Sequence, residues 1–381
     1  MKAIFLKTVV VLTTIVFLVG ACNPVSNPQL TSFPRTMESK SASTPTSEAS
    51  VIVLTDALGK NVTLPQPPMR IAIAGRATAL LADAAFLFPE ATERIVAVSS
   101  TNQGSGDFLE AVDPNFSQKI AYDTNAGPEQ VAAANPDLVI MKSYMAETLG
   151  APLQQLGIPV VYLDLETPEQ YQRDLLTLGK IFQNDIRALE LTQYYQTQIA
   201  QIERALANLS AQDRPRVLLL YHSNRDGQIA FNVPPAQWIQ TILVELAGGT
   251  PVWKDIELGS GWTKVSLEQI AAWNADQIYI ISYTGNPDEI INQLASNSEW
   301  QALKAVQSKA LFAFPKDYYS WDQPDPRWIL GLRWLACRIH PLELGNTDMV
   351  LAAREFLSQW YGLDEATFDQ FILPKLQGSF K

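Results

Sequence analysis

The phrase Glu129-Gln130-Val131-Ala132-Ala133-Ala134-Asn135-Pro136-Asp137-Leu138-Val139 returns far downstream as Glu268-Gln269-Ile270-Ala271-Ala272-Trp273-Asn274-Ala275-Asp276-Gln277-Ile278. Eight of the eleven positions are identical or exchange Val for Ile. Each copy reads as a short helix, an Asn-x-Asp turn and a buried strand, the strands at residues 138–141 and 277–281. One helix–strand unit cannot cover its own apolar face, so each copy predicts a sheet around it. Two copies this far apart predict two similar α/β lobes, with a cleft between them suited to a small molecule.

Around the first copy, strands are predicted at residues 70–74, 94–98 and 159–163, alternating with helical stretches such as the one from Thr78 to about Phe88. That alternation predicts parallel α/β construction. A β-hairpin at residues 51–64 precedes it and ends at Pro65, Pro67 and Pro68. Helices follow at residues 168–182 and from 186 to about 209. The second has Ile199, Ile202, Leu206 and Leu209 along one face, and at roughly 35 Å it is long enough to run past both lobes. From Pro215 a second lobe unfolds: strands at 216–221 and 229–231, a helix at 238–246 ended by Gly248-Gly249, and the second copy of the phrase. A strand near 310–314 and helices near 329–337 and 348–361 complete it.

The N-terminus is read as a targeting segment. Lys2 and Lys7 precede an apolar run at 9–19, too short for a comfortable membrane span, and the run ends in Val19-Gly20-Ala21-Cys22. This resembles a bacterial lipobox, in which the cysteine is lipidated and becomes residue one. Residues 23–50, rich in Ser, Thr, Pro and Asn, read as a disordered tether of roughly 30 Å r.m.s. reach. The organisation is therefore a leader at 1–22, the tether at 23–50, an N-terminal α/β lobe at 51–183, a connecting helix at 184–213 and a C-terminal α/β lobe with terminal helices at 214–381. Such a body is expected at the outer face of a cell membrane, held there through its N-terminal lipid.

A formal charge of −11 argues against nucleic acid and against adhesion to anionic lipid. Beyond Cys22 the only cysteine is Cys337, so the body forms no internal disulfide. Catalytic signatures are absent: there is no Gly-x-Ser-x-Gly, no phosphate loop and no His-Glu-x-x-His. The rival from another class is a secreted, lipid-anchored α/β hydrolase, which turnover of a small ester would favour. No cofactor is expected. With only His222 and His340 in the chain, a metal held by protein ligands alone is not expected either.

The chain resembles a substrate-binding lipoprotein of a bacterial ABC importer, of the iron–siderophore, haem or cobalamin class (class III periplasmic binding proteins). The resemblance rests on Thr55-Asp56-Ala57-Leu58-Gly59-Lys60, Val62-Thr63-Leu64-Pro65 and Pro68-Met69-Arg70-Ile71, and on the two repeat phrases. Glu245-Leu246-Ala247-Gly248-Gly249, Val265-Ser266-Leu267-Glu268, Gly331-Leu332-Arg333-Trp334-Leu335-Ala336 and the stretch from Phe356-Leu357 to Tyr361-Gly362 complete it. It implies two Rossmann-like lobes joined by a single long helix, with the ligand cleft between them, and delivery to a permease and its ATPase. In the family one carboxylate on each lobe meets the permease; Glu90, Glu93 and Glu245 stand in the matching neighbourhoods. The leading ligand is a ferric siderophore. Cobalamin, haem or an oxyanion such as molybdate are alternatives, with Tyr221 or His222 as axial ligand for haem.

Ligands of parallel α/β sheets bind beyond the carboxyl ends of the strands. That directs attention to the loops Gly75-Arg76-Ala77-Thr78, Ser99-Ser100-Thr101-Asn102 and Lys142-Ser143-Tyr144. Large, flat-faced, anionic chelates call for aromatic walls and a few cationic or hydroxyl donors. In the first lobe the candidates are Arg76, Ser100, Lys142 and Tyr144. In the second they are Tyr221 and Asn224 after a strand, Trp262 in the loop Gly259-Ser260-Gly261-Trp262, Tyr283 after the repeat strand, and Tyr319, Trp321 and Arg327. Asp322 and Asp325 stand near enough in sequence to pair with Arg327.

Overall fold

The computed structural model describes residues 51–100, 108–225, 227–256 and 259–380. Cys22, the leader, the tether, and Thr101 and Asn102 of the second loop lie outside the described residues. Strands β1 (Ile52–Thr55) and β2 (Asn61–Leu64) form the expected antiparallel hairpin, Ile52 opposite Leu64. Five strands follow: β3 (Ile71–Ile73), β4 (Ile95–Ser99), β5 (Ile120–Tyr122), β6 (Leu138–Lys142) and β7 (Val160–Leu163). They make an all-parallel sheet in the order β5-β4-β3-β6-β7. Helices bury its faces, and β3, β6 and β7 are buried at every position, as the continuous apolar runs of a covered parallel sheet require.

The second sheet contains β8 (Arg216–Arg225), β9 (Gln228–Val233), β10 (Thr250–Pro251), β11 (Thr263–Val265), β12 (Gln277–Ile281) and β13 (Leu311–Ala313). Its order is β11-β9-β8-β12-β13, with β10 also on β8. This sheet is mixed, not purely parallel. Strand β8 runs on past Tyr221 to Arg225 and folds back as β9, and β11 adds antiparallel to β9. Residues 222–224, expected in the loop after a strand ending at Tyr221, therefore lie within a paired strand.

The repeated phrase has the same job in both lobes. Asn135 and Asn274 both take left-handed backbone (φ 50° and 45°), which Asn tolerates better than most residues and which stops each helix. Two residues on, Asp137 and Asp276 accept from the backbone N–H that opens the neighbouring strand: Asp137 from Met69 and Arg70 at 2.8 and 2.9 Å, Asp276 from Arg216 at 2.8 Å. Arg70 donates back to the Ala134 and Asn135 carbonyls, and Arg216 to that of Trp273. One Asn, one Asp and one Arg thus set the register of β6 against β3 in one lobe and of β12 against β8 in the other.

The helix Pro168–Phe182 leads into the long helix Asp185–Ala205, about 31 Å at 1.5 Å per residue. Asn184 caps its start, accepting from Arg187 N–H at 3.1 Å. The Arg187 guanidinium then donates to the Leu87 and Trp360 carbonyls, tying the helix start to both lobes. Ala188, Leu191, Tyr195 and Ile202 form its buried face. It stops four residues short of the expected Leu209. One apolar cluster runs through both lobes, and a second covers the far side of the first sheet.

Candidate functional site

The loops after the strands place the candidate side chains. In the first lobe Arg76 follows β3 and is exposed, and Tyr144 follows β6 and is 59% exposed. Both line a cavity of about 380 Å³ whose other wall is Thr124–Pro128, just beyond β5. Strand β5 is an edge strand of three residues with little periodicity, so sequence reading missed it and with it Thr124 and Asn125. Ser100 is exposed after β4, its hydroxyl donating to the Tyr122 carbonyl at 2.8 Å. It lines a second cavity of about 240 Å³ together with Phe108, Lys119 and Tyr319. Tyr319 comes from the second lobe, so the carboxyl edges of the two sheets turn toward each other across this cavity.

In the second lobe four rings assemble. Tyr221 of β8 lies 4.6 Å from Tyr283 and 5.1 Å from Trp262, ring centre to ring centre. Trp238 meets Trp262 edge-on at 5.8 Å. All four are half-buried, presenting ring surface at the carboxyl edge. Trp238 was not among the sequence candidates; its place at the start of the helix Ile239–Leu246 disguised it as a helix-entry residue. The Tyr283 hydroxyl donates to Asp322 Oδ2 at 2.8 Å, and Gln240 Nε2 donates to the same oxygen at 3.2 Å. Burial pushes the Asp322 carboxyl up to about 6.

Several expected contacts are placed otherwise. Lys142 is 1% exposed: its ammonium donates to Glu166 at 2.6 Å and to the Asp164 carbonyl, because β6 carries it under the first-lobe loops. Arg327 is fully buried between the lobes. It pairs with Asp83 of the first lobe at 3.0 Å, Asp317 at 3.1 Å and Asp325 at 3.2 Å, and lies over the Phe108 ring. Of the two acids expected to pair with it, Asp325 does so, whereas Asp322 faces Tyr283. Burial opposes the Arg327 charge, but the three carboxylates outweigh it and push its pKa up. Burial, with the Asp325 charge beside it, raises the Asp83 carboxyl well above the usual carboxylate range, and the Arg327 charge opposes that shift.

Trp321 is likewise closed off. Its indole donates to Asp317 and packs edge-on against Phe380, and Gly331 passes so close that any side chain there would sit 2.2 Å from the Trp321 carbonyl oxygen. Tyr319 is 4% exposed. Asn224 caps the β8–β9 turn, accepting from Gly227 N–H at 3.0 Å. His222 points to the opposite face of the sheet from Tyr221, against Phe231, and burial lowers its pKa. His340 is buried against the Gly248 carbonyl. Among the acids, Glu245 pairs with Lys254, Glu90 accepts from Asn184 at 2.9 Å, and Glu93 is exposed.

Comparison with known proteins places this geometry. The model of the periplasmic binding protein family matches residues 71–318, which contain both sheets. MolA of Haemophilus influenzae, a molybdate-binding protein, is 22% identical over 333 residues, 81% of this chain and 90% of the relative. A vitamin B12-binding protein of Pectobacterium carotovorum is 24% identical over 273 residues, 69% of this chain and 90% of the relative. A solved periplasmic solute binding protein of Veillonella parvula superposes with a TM-score of 0.67 at 24% identity, over 85% of this chain and 97% of the other. The chain therefore belongs to the periplasmic binding protein family, the extracytoplasmic solute-binding proteins of ABC transporters, and is a binding protein rather than an enzyme.

Proposed function

We propose that this protein captures a chelated metal, a ferric siderophore, between its lobes and delivers it to an ABC permease and its ATPase, moving on a tether from a lipid at Cys22. The observation that carries the reading is the partly exposed group of four rings, Tyr221, Trp238, Trp262 and Tyr283, at the carboxyl edge of the second sheet. Exposed ring area of this kind is unfavourable in water and favours a ligand with a large apolar face. Arg76 and Tyr144 on the first lobe supply a cation and a hydroxyl for its anionic oxygens. A corrinoid uses the same chemistry. A bare oxyanion such as molybdate is less well served, because two of the three expected cations, Lys142 and Arg327, are spent in buried ion pairs.

Tryptophan quenching tests the reading, with ferric hydroxamate, catecholate and citrate chelates, cyanocobalamin, haemin and molybdate as the panel. A ferric chelate is expected to bind at micromolar concentration or tighter. Arg76→Ala and Trp262→Ala are each expected to weaken it about tenfold or more with unchanged melting. Binding of cyanocobalamin or molybdate alone overturns the choice of ligand, and unchanged affinity in both variants overturns the site. Cys22→Ser is expected to release the protein from the membrane fraction; retention there argues against the lipid.

A further inference from the structure

Tyr283 is the one ring of the aromatic group whose polar end is held by a fully buried carboxylate, and its backbone is held as well. Its hydroxyl donates to Asp322, and its carbonyl accepts from the buried ammonium of Lys316 at 3.2 Å, which also reaches the Ser282 carbonyl. Gln240, from the helix behind, donates to the same carboxylate oxygen. Ser320 and the local backbone also stand by this carboxylate, which no solvent reaches. Taking an acid out of water is costly, so one kept in the core behind a half-buried ring has a task beyond packing.

We infer that Asp322 is a positioning residue for ligand binding: by accepting the Tyr283 hydroxyl it fixes the ring as a stacking surface and keeps the phenol a neutral donor, so that Tyr283 offers the ligand its face and not an oxygen. This rests on the aromatic group being the ligand contact. A charge-assisted hydrogen bond is roughly twice as strong as a neutral one, so the ring is held most firmly when Asp322 is ionised. The groups facing this pair are Lys316 and Asp317 from the segment after β13, Tyr221 from β8 and Gln240 from the helix Ile239–Leu246. The Asp322 carboxyl sits at about 6, so the grip on Tyr283 tightens as pH rises through that value. Tyr283 itself, raised by burial and by the Asp322 charge, stays protonated throughout.

Two measurements test this. In the unliganded protein, tryptophan emission is expected to step with a midpoint near pH 6. Trp262, whose ring centre lies 6.2 Å from that of Tyr283, reports the change, so the step is lost in Trp262→Phe. Asp322→Asn keeps the acceptor and removes the titration, and is expected to abolish the step. A step that persists in Asp322→Asn overturns the coupling.

The second measurement is a double-mutant cycle on binding of ferrioxamine B at pH 7.5. Tyr283→Phe and Asp322→Ala are each expected to weaken binding roughly fivefold to tenfold, and the double variant no more than Asp322→Ala alone, since all three break the same Tyr283–Asp322 hydrogen bond. Asp322→Asn, which needs no refolding of the core, is expected to stay within about threefold of the wild type. Additive losses, or no loss in Tyr283→Phe, overturn the positioning role. If the wild type binds no ferric chelate, the functional reading fails instead, and the emission step decides the coupling by itself.

Discussion

Two aromatic stretches stand at the carboxyl edge of the second sheet, and the fold treats them oppositely. Trp262 and Tyr283 sit half-buried beside Tyr221, with ring surface in water. Residues 318–327, equally rich in aromatics, are closed over by the first lobe and by the end of the chain, and Trp321 and Arg327 reach no solvent. Composition does not separate them. What separates them is a partner: Arg327 meets Asp83 from 244 positions away, and Tyr361 donates to the Asp83 carbonyl at 2.9 Å. The second stretch is the clasp between the lobes, and the first is what the clasp leaves open.

The sharpest way to break this comparison is to truncate one indole in each stretch. Trp321→Ala is expected to cost about 3–5 kcal/mol of stability, the range for removing a fully buried large ring. Trp262→Ala is expected to cost less than Trp321→Ala, about 1 kcal/mol, since part of its surface is already wet, while losing ligand. Urea unfolding of the two variants decides. Equal losses would mean that the open group is core as well.

Arg327→Met attacks the clasp through charge. Three buried carboxylates keep no cation, and removing one partner of a buried ion pair costs about 3–5 kcal/mol. The loss is expected to appear as separation of the lobes, read as exposure of the buried Tyr171 and Tyr195 rings beside the long helix. A variant that melts within a few degrees of the wild type would show the clasp to be ornamental.

Asp83→Asn sharpens the comparison through pH. The folded protein holds the Asp83 proton more tightly than the unfolded chain does, because burial raises its carboxyl. Its contribution to stability is therefore fully present below the unfolded value of about 3.9 and is lost as pH rises through the folded value. Asn mimics the protonated acid at every pH. The variant is expected to lose less stability than the wild type between pH 4 and 8. Asp322 contributes with the same sign up to about 6 and is unchanged in the variant, so the difference between the two profiles reports the coupled pair Asp83 and Asp325. Parallel profiles would mean that burial of Asp83 does not raise its carboxyl.

The same contrast marks how far the sequence could be read. The repeat was legible because its Asn and Asp act locally on adjacent strands, and the hairpin, the long helix and most strands were legible from their own apolar patterns. Arg76, Tyr144 and Tyr283 stand at the sheet edges for the reason given, that they follow strands, whereas Tyr221 lies within β8 and Trp262 just before β11. Lys142, Trp321 and Arg327 follow strands too. Whether a strand-end loop meets water or another lobe depends on residues such as Asp83 and Glu166, far away in the chain, and no local pattern carries that. Strands β5 and β11, three residues each, were too short to show a period.

The smallest expected effect concerns the three acids proposed to meet the permease, and the structure ranks them. Glu245 is already paired with Lys254, and Glu90 holds Asn184 at the start of the long helix, so each has an internal duty that docking would interrupt. Glu93, exposed in the first turn of the short helix Ala91–Arg94, has none among the described residues. Exposed pairs are worth about 0.2–1 kcal/mol and are screened by salt. Glu93→Ala is therefore expected to lower ligand-dependent stimulation of the reconstituted transporter's ATPase by about twofold to fivefold at low salt and hardly at all at 0.5 M salt, with melting unchanged. Glu90→Ala is expected to shift melting as well as stimulation, because it uncaps a structural contact. A loss in Glu245→Ala that exceeds that in Glu93→Ala would reverse the ranking and place the docking face on the second lobe.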